Sequence, residues 1–246
     1  MRQNIIITLC TAALFSAVGC SKVVDPATGC VTFKLMNETE VIDITKSSVA
    51  DFTSLPTAES FSIKVTDSQG NETAVEDISS SISLVAGNYR AGASFGSVSE
   101  EGFDKPCFSG YSDFTVNGGA TVPVTINVKL ANCIVRIATT EAFRNYFTDY
   151  DFTVTTGAGT AIAFPKSETR AAFVDAYLIK VKGTLTNQAG KTQTFNEVEY
   201  KNLAAASCYT VTFDVSNVGS TAISITFNDS VEDVALAVGL MANAGI

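Results

Sequence analysis

The fold of this chain is decided by the ten residues Thr121-Val122-Pro123-Val124-Thr125-Ile126-Asn127-Val128-Lys129-Leu130. Apolar side chains occupy the even positions from 122 to 130, and the polar ones, with Pro123, occupy the odd positions. This alternation indicates a half-buried β-strand, because successive side chains of a strand point to opposite faces. Pro123 lies on the polar side and cannot donate to a ladder, which favours an edge strand or a strand end.

The same alternation recurs in shorter runs along the chain. Four further runs alternate in this way, over residues 31–35, 61–65, 209–215 and 223–227. Turn-forming residues separate the runs at 67–71, 117–119, 157–159 and 187–190. Short strands divided by regular turns predict an all-β sandwich or barrel.

One segment has helical spacing instead. Phe143, Tyr146, Phe147 and Tyr150 are three or four residues apart along the sequence. This spacing predicts one short helix over 141–150 that packs on a sheet. An aromatic stripe of this kind is typical of a core rather than of a ligand site.

The two halves of the chain share a plan. Residues 30–35, 61–65 and 84–89 resemble, in the same order, residues 133–138, 177–181 and 203–209. The spacings differ, so the similarity is a common plan and not a strict period. We therefore predict two sandwich domains joined at Ala131-Asn132, the first over 30–130 and the second over 131–246.

The first residues have the form of an export signal. Arg2 precedes an almost unbroken apolar run over 5–18, and small residues lead to Gly19-Cys20. The run is shorter than the ~20 residues of a membrane span, and it predicts a signal peptide over 1–19. The Gly-Cys end resembles a bacterial lipoprotein box, which implies a lipid on Cys20 and a tether over 20–29. The alternative is an ordinary secretory signal with a chance cysteine.

Composition argues against several classes of function. The formal net charge is −9, with 46% hydrophobic and 17% charged residues, so the chain is globular and acidic. An acidic chain has no electrostatic attraction to phosphate backbones, and no nucleic-acid partner is expected. Histidine is absent, which removes Ser-His-Asp and Cys-His machinery and most zinc and copper sites. We expect no catalytic residue, metal or small-molecule cofactor, and no enzyme.

Four cysteines remain once Cys10 leaves with the signal and Cys20 carries lipid. They are Cys30, Cys107, Cys133 and Cys208. Export to an oxidising compartment permits disulfides, and four cysteines allow three pairings. The alternative is a set of buried or half-buried thiols. None of the four forms a Cys-x-x-Cys pair, which argues against structural zinc.

Several surface features are candidates for binding. Acidic groups at 100–104, 149–151 and 228–233 each offer oxygen ligands for calcium, but none has EF-hand spacing, and solvated turns are the simpler interpretation. The loop over 94–110 is either an exposed recognition loop or a long hairpin whose aromatic residues, Phe95, Phe103 and Phe108, cap the sandwich.

Several segments together resemble a known family. The strand opening Leu84-Val85-Ala86-Gly87-Asn88-Tyr89 is followed by the Pro-x-x-x-Gly loop at 106–110, the strand at 121–130 and the turn at 167–171. This order resembles an uncharacterised lipoprotein family of gut Bacteroidota, itself similar to fimbrillin-type (type V) pilus and adhesion proteins. The resemblance implies two tandem transthyretin- or immunoglobulin-like β-sandwiches, lipid-anchored in the outer membrane and facing the cell surface. It implies no catalytic residue.

The same resemblance implies a non-catalytic adhesion or pilus-accessory role, with pilus subunits as partners. Strand exchange between subunits would use residues 31–36 or 234–240; alternatively, both segments complete their own sheets. Fimbrillin-type maturation cuts the chain after an arginine, and there is no arginine between Cys20 and Ser60. This absence favours a monomeric surface protein or a role at the pilus base.

A second hypothesis is a module of an outer-membrane uptake system that binds surface glycans or proteins. It predicts an exposed aromatic patch, for which Tyr111, Tyr177 and Tyr200 are candidates. A third hypothesis, a hydrolase, predicts paired carboxylates in a cleft.

Overall fold

The computed structural model describes residues 27–39, 47–215, 222–227 and 230–238. These residues form β-strands with one short α-helix, which confirms the predicted all-β class. In this part of the chain no helix has both the length and the apolar content to cross a bilayer. The predicted signal peptide, Cys20 and most of the tether lie outside the described residues.

The strands are numbered in chain order. Those of the first half are β1 (Thr28–Glu38), β2 (Ser62–Asp67), β3 (Glu72–Val75), β4 (Ile82–Val85), β5 (Gly87–Phe95), β6 (Gly102–Phe103), β7 (Phe108–Val116) and β8 (Thr121–Leu130). Those of the second half, with the helix α1, are β9 (Cys133–Thr139), α1 (Glu141–Tyr146), β10 (Phe147–Thr156), β11 (Ala161–Pro165), β12 (Ala172–Val174), β13 (Leu178–Asn187), β14 (Thr192–Phe195), β15 (Val198–Lys201), β16 (Cys208–Val215), β17 (Ala222–Phe227) and β18 (Ser230–Val238).

The first half folds one sheet into a sandwich. Its strands run in the order β3-β2-β5-β7-β8-β1-β4, and β7 joins β8 through the pairs Phe108 with Leu130 and Ser109 with Lys129. The sheet turns at this short junction, so that β3-β2-β5-β7 faces β8-β1-β4. Side chains from both layers form a single core, which makes this half a β-sandwich.

The strand β8 has the two faces that its alternation predicts. Val124, Ile126 and Val128 are buried in the core, while the intervening residues are exposed. Its neighbour β1 runs parallel to it, with Thr32 opposite Pro123. Pro123 lies near the start of β8, away from the two pairs with β7, where a missing N–H interrupts no ladder on that side.

The second half forms a longer folded sheet. Its order is β11-β10-β13-β14-β18-β17-β16-β9-β12-β6, with β15 also paired to β13. Side chains of β10 and β13 share a core with those of β16, and the rings of Phe152 and Phe213 stack 4.0 Å apart between the two layers. This is the second β-sandwich that the sequence predicts, and we propose the domain boundary at Ala131-Asn132.

The two segments considered for strand exchange both pair within their own domains. The strand β1 lies between β8 and β4, and β18 lies between β14 and β17. The last two residues of the 234–240 segment lie outside the described residues. In this structure, therefore, both strands complete their own sheets.

The helix is shorter than its aromatic spacing predicts. It covers Glu141–Tyr146, with the Thr140 hydroxyl accepting a hydrogen bond from the Phe143 N–H at its start. From Phe147 onwards the chain pairs with β13 as β10. The predicted end at Tyr150 is wrong, because residues after 146 form a sheet ladder instead of further helical turns. Phe143 and Phe147 still pack in the core, 4.7 Å apart between ring centroids.

The two halves share local geometry as well as sequence. Each starts with a strand that pairs in parallel with a later strand of its own half, β1 with β8 and β9 with β16. In the first half, the Tyr89 hydroxyl donates to the Val85 carbonyl. In the second half, the Tyr209 hydroxyl accepts from the Ala204 N–H. A tyrosine thus holds the preceding turn in both halves.

A third apolar cluster joins the two sandwiches. It combines Phe108 and Leu130 from the first half with Ile134, Phe173 and Cys208 from the second. Beside it, the buried Asn132 side chain accepts a hydrogen bond from the Cys107 N–H and donates one to the Lys105 carbonyl. The junction is therefore both apolar and hydrogen-bonded, unlike the loose linker between independent domains.

The loop over 94–110 belongs to this junction, and neither interpretation made from the sequence describes it fully. Its strand β6 pairs with β12 of the second sandwich. Phe103 packs on the second core, 5.1 Å from the ring of Phe164, and Phe108 is fully buried. The aromatic residues cap a sandwich, as one alternative has it, but Phe103 caps the neighbouring domain.

Candidate binding surface

The acidic residues of the loop have structural partners. Glu101 accepts hydrogen bonds from the Thr156 hydroxyl at 2.6 Å and from the Asp175 N–H at 2.9 Å. Asp104 pairs with Arg170 at 3.0 Å, and Arg170 also lies over the Phe103 ring. These carboxylates fasten β6 to the second sandwich.

No group of metal-binding side chains is found within the described ranges. Of the three acidic groups considered for calcium, Asn228 and Asp229 of the last lie outside those ranges. Asp149, in the second group, accepts a hydrogen bond from the adjacent Tyr150 N–H. Neither fully described group gathers its carboxylates around a common point.

Within the described residues, no disulfide joins any of the four cysteines. Cys107, Cys133 and Cys208 are buried and Cys30 is half-buried. Burial raises the pKa of the Cys133 thiol to about 12 and raises that of Cys107 as well. A thiol that stays protonated is a poor nucleophile and a poor metal ligand, so the buried Cys107 and Cys133 side chains serve packing.

Two of the three candidate tyrosines are exposed and one is not. Tyr111 and Tyr177 are 66% and 64% exposed. Tyr200 is half-buried and stacks on Phe227, with ring centroids 3.9 Å apart. Tyr111 and Tyr177 lie on different sandwiches, so the three do not form one aromatic patch. Only their surroundings can distinguish the two exposed rings.

Tyr111 lies in the outward face of the layer formed by β2, β5 and β7. We call this face the platform. The cross-strand register places four rows on it: Ser62, Ser94 and Ser109; Lys64, Gly92 and Tyr111; Thr66, Arg90 and Asp113; and Asn88 with Thr115. The inward positions of the same strands, such as Val65 and Ala91, are buried. The platform is therefore polar, with one large aromatic ring.

An ion pair organises the centre of the platform. Both oxygens of Asp113 accept from Arg90, at 2.7 Å from Nε and 2.9 Å from Nη2. The hydrogen bond from Arg90 lowers the pKa of the Asp113 carboxyl, so that both groups are charged at neutral pH. The guanidinium carbon also lies 4.5 Å from the Tyr111 ring centroid. This bidentate pair fixes Arg90 in a plane on which the ring rests.

Gly92 leaves a gap beside the ring. It lies between Lys64 and Tyr111 in its row. A Cβ atom added there would lie 4.0 Å from the Gly110 carbonyl oxygen, the nearest atom beyond its chain neighbours. The gap exists because Gly92 has no side chain, and it leaves space on β5 directly across the strand pair from Tyr111.

A shallow depression of about 560 Å³ adjoins the ion pair. Most of the residues that line it have polar side chains: Thr66, Asp67, Ser68, Asn88, Arg90, Asp113 and Thr115. Tyr89 and Phe114 complete the lining. A depression of about 670 Å³ on the second sandwich has similar polar walls, but its aromatic member, Phe195, is 5% exposed. The first depression differs from the second in its neighbour: the exposed Tyr111 ring lies outside its lining but against Arg90, which is part of that lining.

Sequence reasoning found Tyr111 but not its partners. Alternation places Tyr111 and Asp113 on one face of β7, and Arg90 and Gly92 on one face of β5, and both patterns are visible in the sequence. The register that sets Arg90 opposite Asp113 depends on long-range pairing. The signal that could have found them is the lone exposed aromatic among small polar residues.

Comparison with known proteins gives a family and a set of structures. Residues 27–242 match the model of a family described as a domain of unknown function. Among curated proteins, no match is found.

Several similar solved structures come from Bacteroides species. A candidate cell adhesion protein from Bacteroides eggerthii is 11% identical, with a TM-score of 0.45 and coverage of 87% of this chain and 96% of its own. Another from Bacteroides thetaiotaomicron is 14% identical, with a TM-score of 0.43 and coverage of 80% and 96%. A candidate polysaccharide-binding protein from the same species is 14% identical, with a TM-score of 0.41 and coverage of 84% and 97%.

Proposed function

This chain belongs to that family, DUF4493, and from its own residues we propose that it is a non-catalytic adhesion protein held on the outer membrane by a lipid on Cys20. The family match agrees with the resemblance to an uncharacterised family drawn from the sequence. The signal-like first residues and the Gly19-Cys20 pair support the anchor.

The observation that carries the adhesive role is the platform. Tyr111 is 66% exposed, and its ring rests on Arg90, which Asp113 holds in place through a bidentate ion pair. An exposed ring positioned in this way is suited to contact with a binding partner. The buried side chains of Asn132 and Thr156, by contrast, are engaged in the junction.

Localisation of the protein and of a Cys20→Ser variant tests the anchor. We expect the unchanged protein in the membrane fraction of its own bacterium and on intact cells labelled with immunogold. We expect the variant in the soluble fraction or the medium, because a Ser side chain cannot form the thioether to lipid. Equal membrane association of both forms would contradict the lipid anchor.

The pattern of gold on intact cells tests the form of adhesion. Label scattered over the cell surface is expected for a monomeric adhesion protein. Label along filaments or at their bases would assign the pilus-accessory role instead. Label that appears only after the outer membrane is opened would overturn the surface location.

Deletion of the gene tests adhesion itself. Cells that lack the protein are expected to adhere less to surfaces coated with mucin or with polysaccharide, and re-expression is expected to restore adhesion. Unchanged adhesion on every coating would contradict the adhesive role.

A further inference from the structure

We infer that the platform is a binding site for a neutral glycan, with a sugar ring lying on Tyr111 and its hydroxyl groups bonded to Arg90 and Asp113. The inference rests on the proposed adhesive function and names the surface and the class of ligand that it would use.

The charges of the platform argue for a neutral ligand. Arg90 is neutralised by Asp113 at 2.7 Å, and Lys64 by Glu72 at 2.8 Å. Every charged side chain in the rows of the platform therefore has an opposite charge next to it. The Asp67 carboxylate, at the edge of the platform, accepts hydrogen bonds within its own turn. An anionic ligand such as a phosphate or a sulfated chain would meet no free cation here.

The ring and the ion pair supply the two contacts that a sugar needs. The face of a pyranose that carries axial C–H bonds is apolar and slightly positive, and it matches the negative face of the Tyr111 ring that is turned away from the Arg90 guanidinium. Its equatorial hydroxyls donate and accept at the rim. Asp113 can accept with its remaining lone pairs and Arg90 can donate with Nη1, since the ion pair uses Nε and Nη2.

Gly92 gives the site its shape. Because Gly92 has no side chain and an added Cβ would meet no atom closer than 4.0 Å, a flat ring can reach the tyrosine from that side. The depression beyond the ion pair, with Thr66, Asn88 and Thr115 in its wall, has room for a second sugar unit of the same chain. A linear glycan is therefore favoured over a single sugar.

Affinity electrophoresis tests the site. The mature chain without lipid, residues 21–246, would be run in native gels that contain soluble starch, mixed-linkage β-glucan, galactomannan or yeast mannan. Three variants are compared: Tyr111→Ala, Gly92→Gln and the control Tyr177→Ala. Tyr177 is the matched control because it is equally exposed but lies on the second sandwich. Far-UV circular dichroism and thermal melts confirm that each variant is folded.

The expected result is retardation by at least one neutral polysaccharide. Tyr111→Ala should weaken it about tenfold through loss of the stacking contact. Gly92→Gln should do the same by filling the gap, and Tyr177→Ala should leave it unchanged. Retardation that survives both platform variants, or that is lost only with Tyr177→Ala, would place the site elsewhere and overturn the inference.

Failure of the inference can be separated from failure of the proposed function. If no neutral polysaccharide retards the protein but deletion of the gene still reduces adhesion to gelatin, a glycan-free protein coating, the platform's ligand is not a neutral glycan and the adhesive role stands. If heparin or pectin retards the protein and neutral chains do not, the charge argument is wrong. If neither retardation nor an adhesion defect is found, both proposals fall.

Discussion

Asn132 is a buried amide, 1% exposed, at the point where the chain passes from one sandwich to the other. Its side chain serves the Cys107 N–H and the Lys105 carbonyl. In Asn132→Ala the Cys107 N–H would lose its partner in a buried position, and we expect the free energy of unfolding to fall by about 2 kcal/mol. Urea denaturation measures this loss. Asn127→Ala, at an exposed position on β8, is the control and should change stability by less than about 0.5 kcal/mol.

The Cys133 thiol should make stability depend on alkaline pH. Its pKa is raised by burial to about 12 in the folded protein, from an ordinary value of 9.0. Only the unfolded chain loses this proton between those two values, so the contribution is fully present below pH 9 and falls by ~1.4 kcal/mol for each pH unit above it.

Comparison with Cys133→Ala isolates that contribution from lysines and tyrosines that titrate in the same range. Urea midpoints of the two proteins, measured from pH 7 to 10.5, should converge as the pH rises, because the variant lacks the alkaline loss. A constant difference across that range would mean that Cys133 ionises normally in the folded state.

Two glycines on adjacent strands differ in the space around them: one lies close to the backbone of another strand, and the other has open space beside it. At Gly110 of β7 an added Cβ would lie 1.9 Å from the Asn127 carbonyl oxygen of β8, whereas at Gly92 of β5 its nearest neighbour beyond the adjoining residues would be 4.0 Å away. We expect Gly110→Ala to lower the free energy of unfolding, measured by urea denaturation, by about 3 kcal/mol, the upper end of the ~1–3 kcal/mol range for overpacking. Gly92→Ala should be neutral or stabilising by up to ~1 kcal/mol. Equal effects of the two substitutions would contradict the close approach of the β8 backbone to Gly110 of β7.

The elements that the sequence predicts well are those with one buried face. β8 follows its alternation because a shift by one residue would bury its Thr and Lys side chains. The helix end fails for a related reason: Phe152 and Val154 fit the inward face of β10, and pairing with β13, which shifts register between Phe147 and Asp149, decides between the two periods. The platform lies beyond sequence reasoning because the opposition of Arg90 and Asp113 depends on strand register. The role of the 94–110 loop likewise depends on a distant partner, β12.

At the scale of the whole molecule, the two sandwiches should unfold as one unit. Phe108 and Leu130 of the first and Ile134 and Phe173 of the second share a buried cluster, and β6 extends the sheet of the second sandwich. Opening either domain would therefore expose apolar surface of the other. Differential scanning calorimetry should show one transition, with calorimetric and van't Hoff enthalpies in agreement.

Weakening the junction should uncouple the domains. Phe103→Ala removes the ring that lies 5.1 Å from Phe164, and Glu101→Ala removes the acceptor of the Thr156 hydroxyl and the Asp175 N–H. In the double variant the single transition should broaden or split, and endoproteinase Glu-C should cut more rapidly after Glu100, which lies in the released loop. Val98→Ala is the control, because Val98 is 41% exposed in the same loop. Two transitions in the unchanged protein would contradict the coupling. A coupled pair resists forces on either domain better than a hinged pair, as the proposed adhesive role of the platform would require.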